Sequence, residues 1–284
     1  MQIRIIPPNH QLRRYINQLW VLSCSAGVPE ADGRIVVPNG TGSVLLPIVG
    51  SLEFVGAHKR HILKQGHTFI SGIWDEPKTI CSQSKNLLVL GVDINPIGIS
   101  RIFPLPVHQF TNNILSLEYI LRNNQKLIGY EFPVMRDLGV AVHSIQDTLC
   151  RLLRAEESRH RIIDCCIERI VSASGKIGVN ELVEKSGYTK RYLAMLFKEL
   201  IGVSPKVYAE IIRFNQFYDA WAKAKEQDFY SDMLYEYYYD QSHFIKEFKK
   251  FTGYSPLALS RAGNAYGKLF YNDFPFLQSY GLRE

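Results

Sequence analysis

The chain has no apolar run approaching 18 residues, so nothing in it reads as a membrane-spanning helix. Cysteine is sparse and scattered: Cys24, Cys81, Cys150, Cys165 and Cys166, an odd number with no CxxC pair. That spacing speaks against a disulfide framework and against a zinc-thiolate site. None of the five has a His-Arg context that would activate a thiol for repair chemistry. Neither a Gly-x-Gly-x-x-Gly turn nor a Walker sequence is present, so no nucleotide site is expected. One charge sign does not dominate. The net charge is +6, and residues 174–262 carry 13 Lys and Arg against 11 Asp and Glu. Charge alone favours polyanions only mildly and does not pick out a nucleic-acid-binding segment. The opening MQIRIIPPNHQLRRY lacks the apolar run of a signal peptide, and a cytoplasmic protein is the expectation.

What the chain does have is a repeated helical pattern. Residues 240–256 read DQSHFIKEFKKFTGYSP. As a helix, this stretch lines up Phe244, Phe248 and Phe251 on one side. Ser242, Lys246 and Lys249 fall opposite. Asp240 or Ser242 can cap the start, and Gly253 can stop the helix. Ser255-Pro256 can begin another helix. The same pattern stands 51 residues earlier, in TKRYLAMLFKELIGVSP. At that offset Leu193 matches Phe244, Phe197 matches Phe248, Lys198 matches Lys249 and Leu200 matches Phe251. Upstream, Leu182 and Val183 pair with Met233 and Leu234. Each copy is a short helix, a tight turn and a second helix, the layout of a helix-turn-helix motif.

Over roughly residues 160–262 the sequence resembles the AraC/XylS family of bacterial transcription regulators. The match is densest in DQSHFIKEFKKFTGYSP and good in GYTKRYLAMLFKELIGVSPKVY. SPKVYAEIIRFNQFYDA is similar to the family's connecting helix, with Arg213 and Ala220 at its Arg and Ala positions. One departure stands out. The family places a Gly in the second turn, where this chain has Tyr235-Glu236-Tyr237-Tyr238-Tyr239-Asp240. A Tyr forced to positive φ there would cost about 1 kcal/mol and tilt the following helix.

The N-terminal pattern differs. Leu12, Tyr15, Ile16 and Leu19 predict an amphipathic helix over Pro7–Trp20. Short apolar runs follow at Trp20–Leu22, Arg34–Val37, Ser43–Val49, Leu52–Val55, Thr68–Ile70, Lys78–Cys81 and Leu87–Val92, with a turn at Pro38-Asn39-Gly40. Such spacing predicts a small antiparallel barrel or sandwich. Asn95-Pro96-Ile97-Gly98 breaks the sheet, and helices are expected over Ser116–Asn123 and Met135–Arg154. RAEESRHR, from Arg154 to Arg161, reads as a linker or solvated helix ahead of a helix Ile162–Ser172. The layout resembles the cupin-like sensory domain found in part of the same family. The resulting expectation is a two-domain chain: 1–154 effector-binding or dimerising and mostly β, 155–262 all-α and DNA-binding, 263–284 an aromatic tail that packs on something.

An α-helix fits the major groove, and its outer residues reach base edges. The resemblance implies that Lys190, Arg191, Ala194, Met195 and Lys198 of the first copy face DNA. In the second copy it implies Gln241, Ser242, Ile245, Lys246 and Lys249. Arg191 can hold guanine and Gln241 adenine in two-pronged contacts. Lys198 and Lys249 suit phosphates. Ala194, Met195 and Ile245 can meet thymine methyl groups. Taken singly, each Lys is more simply a solvated charge; as one face within a repeat they point to DNA. Phe244, Phe248 and Phe251 read as core, and His243 as packing or capping.

In the first half, His58, His61 and His67 are spaced by three and six residues. Metal-binding cupins use an HxH pair, which is absent, so no metal or cofactor is expected and the histidines read as structural. Asp75-Glu76 reads as a turn. The resemblance implies promoter DNA as partner, with RNA polymerase and a second copy of the chain as further ones. It favours an activator controlled by an unidentified small effector. Two rivals stand beside this: a constitutive DNA-binding protein whose first half only mediates protein contacts, and a metal-dependent barrel enzyme with an added DNA-binding tail.

Overall fold

A computed structural model describes residues 2–28, 35–57, 59–103, 105–122, 137–155, 157–223 and 233–262. The aromatic tail 263–284, expected to pack on something, and His58 lie outside these residues. The N-terminal half is antiparallel β. Its strands are β1 Gln2–Ile6, β2 Ile16–Cys24, β3 Ile35–Val36, β4 Gly42–Val49, β5 Leu52–Val55, β6 Arg60–Leu63, β7 Phe69–Ser71, β8 Lys78–Cys81, β9 Leu87–Ile94 and β10 Ile114–Ser116. They form a six-stranded sheet, β1-β2-β9-β4-β7-β10, and a four-stranded one, β3-β8-β5-β6.

Strand alternation divides the core in two. From the large sheet, Trp20, Leu22, Leu45, Leu87 and Val89 bury against Leu52, Phe54, Leu63 and Ile80 of the small sheet. The opposite face carries Leu19, Val21, Val44, Leu46, Leu90, Val92 and Ile94, and it packs in one cluster with the helices. β2 and β9 are thus apolar on both faces and read as continuous hydrophobic runs.

The expected opening helix is not formed. The chain makes a single turn, in which the Leu12 carbonyl accepts from Tyr15 and Ile16 at 2.8 Å each. It then enters β2, which pairs with β1 on one side and β9 on the other. Leu12, Ile16 and Leu19 are still buried, Leu12 from the turn and Ile16 and Leu19 from β2, so a turn and a strand satisfy them instead of a helix. The other strand runs and the break match the sequence reading closely.

The helices are α1 Pro96–Ile102, α2 Leu117–Arg122, α3 Leu138–Leu152, α4 Ser158–Ser172, α5 Val179–Ser186, α6 Lys190–Leu200, α7 Pro205–Lys223, α8 Met233–Tyr237, α9 Gln241–Thr252 and α10 Pro256–Ala262. A 3-10 turn, Val107–Phe110, lies between α1 and β10. Asn95 caps α1, its side chain accepting from Gly98 at 2.9 Å, and Pro96 stands at the first helical position. α4 begins four residues earlier than its apolar stripe suggests. Glu157 precedes it, and the Glu157 N–H donates to His160 Nδ1 at 3.2 Å, satisfying the terminus with a side chain. The charged stretch before it is anchored, not free: Arg101 Nη2 donates to the Arg154 carbonyl at 2.6 Å, and Arg154 donates to the Phe103 carbonyl at 3.1 Å.

Candidate nucleic-acid interface

The first helix pair is built by local signals. α5 ends at Gly187, which is left-handed at φ 72° and donates to the Val183 carbonyl at 3.0 Å. Thr189 then caps α6, its hydroxyl accepting from Tyr192 at 3.2 Å. Leu193, Leu196, Phe197 and Leu200 are buried. On the other side Lys190, Arg191, Ala194, Met195 and Lys198 are all exposed. Met195 keeps 50% of its surface accessible, an apolar side chain held out among cations.

The second pair reaches a similar geometry by another route. Asp240 caps α9, accepting from the His243 N–H at 2.8 Å. Gly253, at φ 79°, ends it. Phe244, Phe248 and Phe251 are buried, while Gln241, Ser242, Lys246 and Lys249 are exposed and Ile245 is half-buried. The turn before α9 contains no residue at positive φ. The strain expected from the absent Gly is therefore not incurred. Tyr238, at the position of Gly187, turns its ring inward. It packs edge-on against Phe217 at 5.7 Å and Phe244 at 5.2 Å, and its hydroxyl donates to Glu247 at 2.8 Å.

α7 joins the two pairs and packs against both. Tyr208 meets Phe197 at 6.4 Å between ring centroids, while Phe214 meets Phe251 at 5.2 Å and Phe217 meets Phe244 at 4.8 Å. Arg213 of α7 forms a buried ion pair with Glu247 of α9, through Nε at 3.2 Å and through Nη2. Arg213 also stacks on Tyr238 at 5.3 Å. Glu247 is only 5% exposed, so the pair fixes α9 on α7 from within. His243 lies beside this knot, 3.8 Å from Glu247, and takes part in packing. Glu247 was not legible in the sequence: its spacing from the three phenylalanines places it on the helix flank, where a carboxylate reads as solvated.

The β half grips this helical unit at several points, among them two that involve the ends or body of α7. Asn215 of α7 donates to the Pro38 carbonyl at 2.7 Å, in the turn before β4. Thr111 Oγ1, just after the 3-10 turn, donates to the Gly202 carbonyl at 2.9 Å, where α6 gives way to α7. Gly202 is left-handed at φ 96°, and a Cβ there would stand 2.5 Å from Thr111 Oγ1. Both grips leave the exposed faces of α6 and α9 open.

Other sequence candidates are dispersed. His67 pairs with Glu118 at 2.7 Å, and His61 stands edge-on to Trp74. Among the described residues no group of three His, Cys, Asp or Glu side chains could hold a metal. Asp75 sits in a turn, its N–H donating to Asn112 at 2.9 Å. Among the described residues no helix is long and apolar enough to cross a membrane.

The model of a family described as a domain of unknown function, DUF6597, matches residues 4–116. No curated protein matches. Among solved structures, an apo variant of ToxT from Vibrio cholerae is 10% identical, with 90% of this chain and 99% of that one covered at a TM-score of 0.47. ToxT from Vibrio cholerae strain SCE256 with bound unsaturated fatty acid is 11% identical, with 84% and 93% covered at 0.44. The AraC-like transcriptional activator CuxR is 12% identical, with 78% and 87% covered at 0.28.

Proposed function

We propose that the chain is a sequence-specific DNA-binding transcription regulator of the AraC type, controlled by a small molecule at its N-terminal half. In this reading residues 1–154 form a cupin-like sensory unit and residues 155–262 bind promoter DNA through two helix-turn-helix motifs. The observation that carries it is the duplication itself. Two helix pairs, 51 residues apart in sequence, are held by one spine, and each presents an exposed face with cations beside residues suited to base edges. A solvated surface needs no such repetition.

α6 and α9 belong to one chain, so one subunit would occupy two successive major grooves, a footprint of roughly 20 base pairs. Arg191 and Gln241 would read bases, and Lys190, Lys198, Lys246 and Lys249 would neutralise phosphates. An effector would act by shifting the population of DNA-competent arrangements through the Pro38 and Gly202 contacts. The test is selection of bound sequences from random duplex DNA by the full-length chain. Enrichment of a defined motif supports the reading; retention of DNA without any sequence preference contradicts it.

A further inference from the structure

Between the two helix pairs the surface is hollowed into a cleft of about 340 Å³ that neither exposed helix face uses. One wall is formed by residues 175–179, which lead into α5. The floor is α7, and the far wall is His243 in the first turn of α9. Ile177 and Ala209 give the cleft a buried apolar base. Gly178 lines it without a side chain, and a Cβ there would meet nothing within 4 Å, so the entrance is open.

The charges around this cleft do not balance. Glu210 and Arg213 line it, but each is already matched. Glu210 accepts from Lys250 at 2.7 Å, and Arg213 is engaged by Glu247. Lys176 and Lys206 remain, both exposed. Among the described residues Lys176 has no carboxylate within ion-pair reach, and its Nζ donates to the neutral Glu236 carbonyl at 3.1 Å. Lys206 lies 3.8 Å from Glu210, beyond hydrogen-bond distance. Each ammonium carries three donors, so the cleft holds two surplus positive charges with donors still open. A phosphate supplies both the negative charge and the acceptor oxygens they lack.

Position decides where such a phosphate comes from. With α6 and α9 in successive major grooves, the minor groove between them faces the surface that joins the two pairs, and its rims are phosphate strands. We propose that the cleft takes a backbone phosphate of the DNA strand running between the two grooves, held by Lys176 and Lys206. The proposal rests on the DNA-binding reading and adds a contact outside both exposed helix faces. Such a contact carries no sequence information; it fixes the register of the two pairs on the duplex.

The experiment is titration of the full-length chain against its selected duplex over a range of KCl concentrations, read by fluorescence anisotropy. The natural chain is set beside the pair Lys176→Gln with Lys206→Gln and the pair Lys176→Arg with Lys206→Arg. The slope of log affinity against log salt is expected to become shallower by about 1 for each lysine removed, and arginine is expected to restore it. The preferred sequence should not change. Lys64→Gln, an exposed site in the β half, should keep the natural slope. A duplex with neutral methylphosphonate linkages between its two half-sites tests the natural chain without any substitution, and its binding is expected to fall by about tenfold. The proposal is overturned if the glutamine pair keeps the natural slope or if the methylphosphonate duplex binds as tightly as the ordinary one. In that case a rise in the unfolding midpoint with inorganic phosphate, seen in the natural chain and lost in the glutamine pair, would assign the cleft to a free phosphate compound instead. Failure of the natural chain to bind any duplex would overturn the DNA-binding reading and this proposal together; binding with an unchanged slope would overturn this proposal alone.

Discussion

Arg213 and Glu247 show what a single residue can decide here. Removing one partner of a buried ion pair leaves the other charged and desolvated. Arg213→Ala is therefore expected to cost about 3–5 kcal/mol, read as a lower urea midpoint. The double change Arg213→Met with Glu247→Leu is expected to recover most of that loss, because apolar packing replaces the pair. Lys78 makes a prediction in pH. Burial pushes its amine down to about 7 in the folded chain, against about 10.4 when unfolded, so between these values the unfolded state holds a proton that the native state lacks. Stability from this group then rises with pH from about 7 upward. Asp93, whose carboxyl burial raises, works in the opposite sense, and so does Cys166, pushed up to about 11. The difference between the natural chain and Lys78→Met over pH 7–9, read by urea unfolding, isolates the lysine. The variant is expected to show the shallower rise; equal slopes would contradict the assignment. Residues such as Arg191 and Lys246 were legible in the sequence because helical period alone sets which side faces out. Lys78 and Asp93 were not, because their meeting depends on how two sheets stack.

At the scale of elements, the second helix pair is the informative case. Gly187 ends α5 in the left-handed conformation, but Tyr238 replaces that device with burial. Its ring contacts and its bond to Glu247 hold the turn without positive φ. Tyr238→Gly, which restores the glycine of the first copy, is therefore expected to destabilise the chain by about 3–5 kcal/mol, as deletion of a buried aromatic does. Thermal unfolding checks this; a gain in stability would mean that the turn is strained after all. Among the strands, β1, β6 and β10 escaped the sequence reading, and each is a sheet edge. Edge strands are short and mixed in polarity, as in RHIL of β6, and so they carry little periodic signal. The opening segment failed for a related reason. Leu12, Ile16 and Leu19 needed burial, and spacing could not say whether a helix or a central strand would supply it.

On the scale of the whole molecule, the division into a β half and a helical half was readable from the change in period. Their contact was not. The outer face of the large sheet and the helices share one core, and Asn215 and Thr111 reach across it. Two surfaces distant in sequence leave no local pattern that reveals their match. In the proposed function α6 and α9 read two successive grooves from a single chain. The most direct measurement is sequence selection from random duplex DNA by the full-length protein, repeated with Arg191→Ala and with Gln241→Ala. An asymmetric site of about two helical turns is expected. Each substitution should relax the preference in a different half of it, by about 1–3 kcal/mol at the affected base. Relaxation of the same half by both variants, or a site of only one turn, would contradict it.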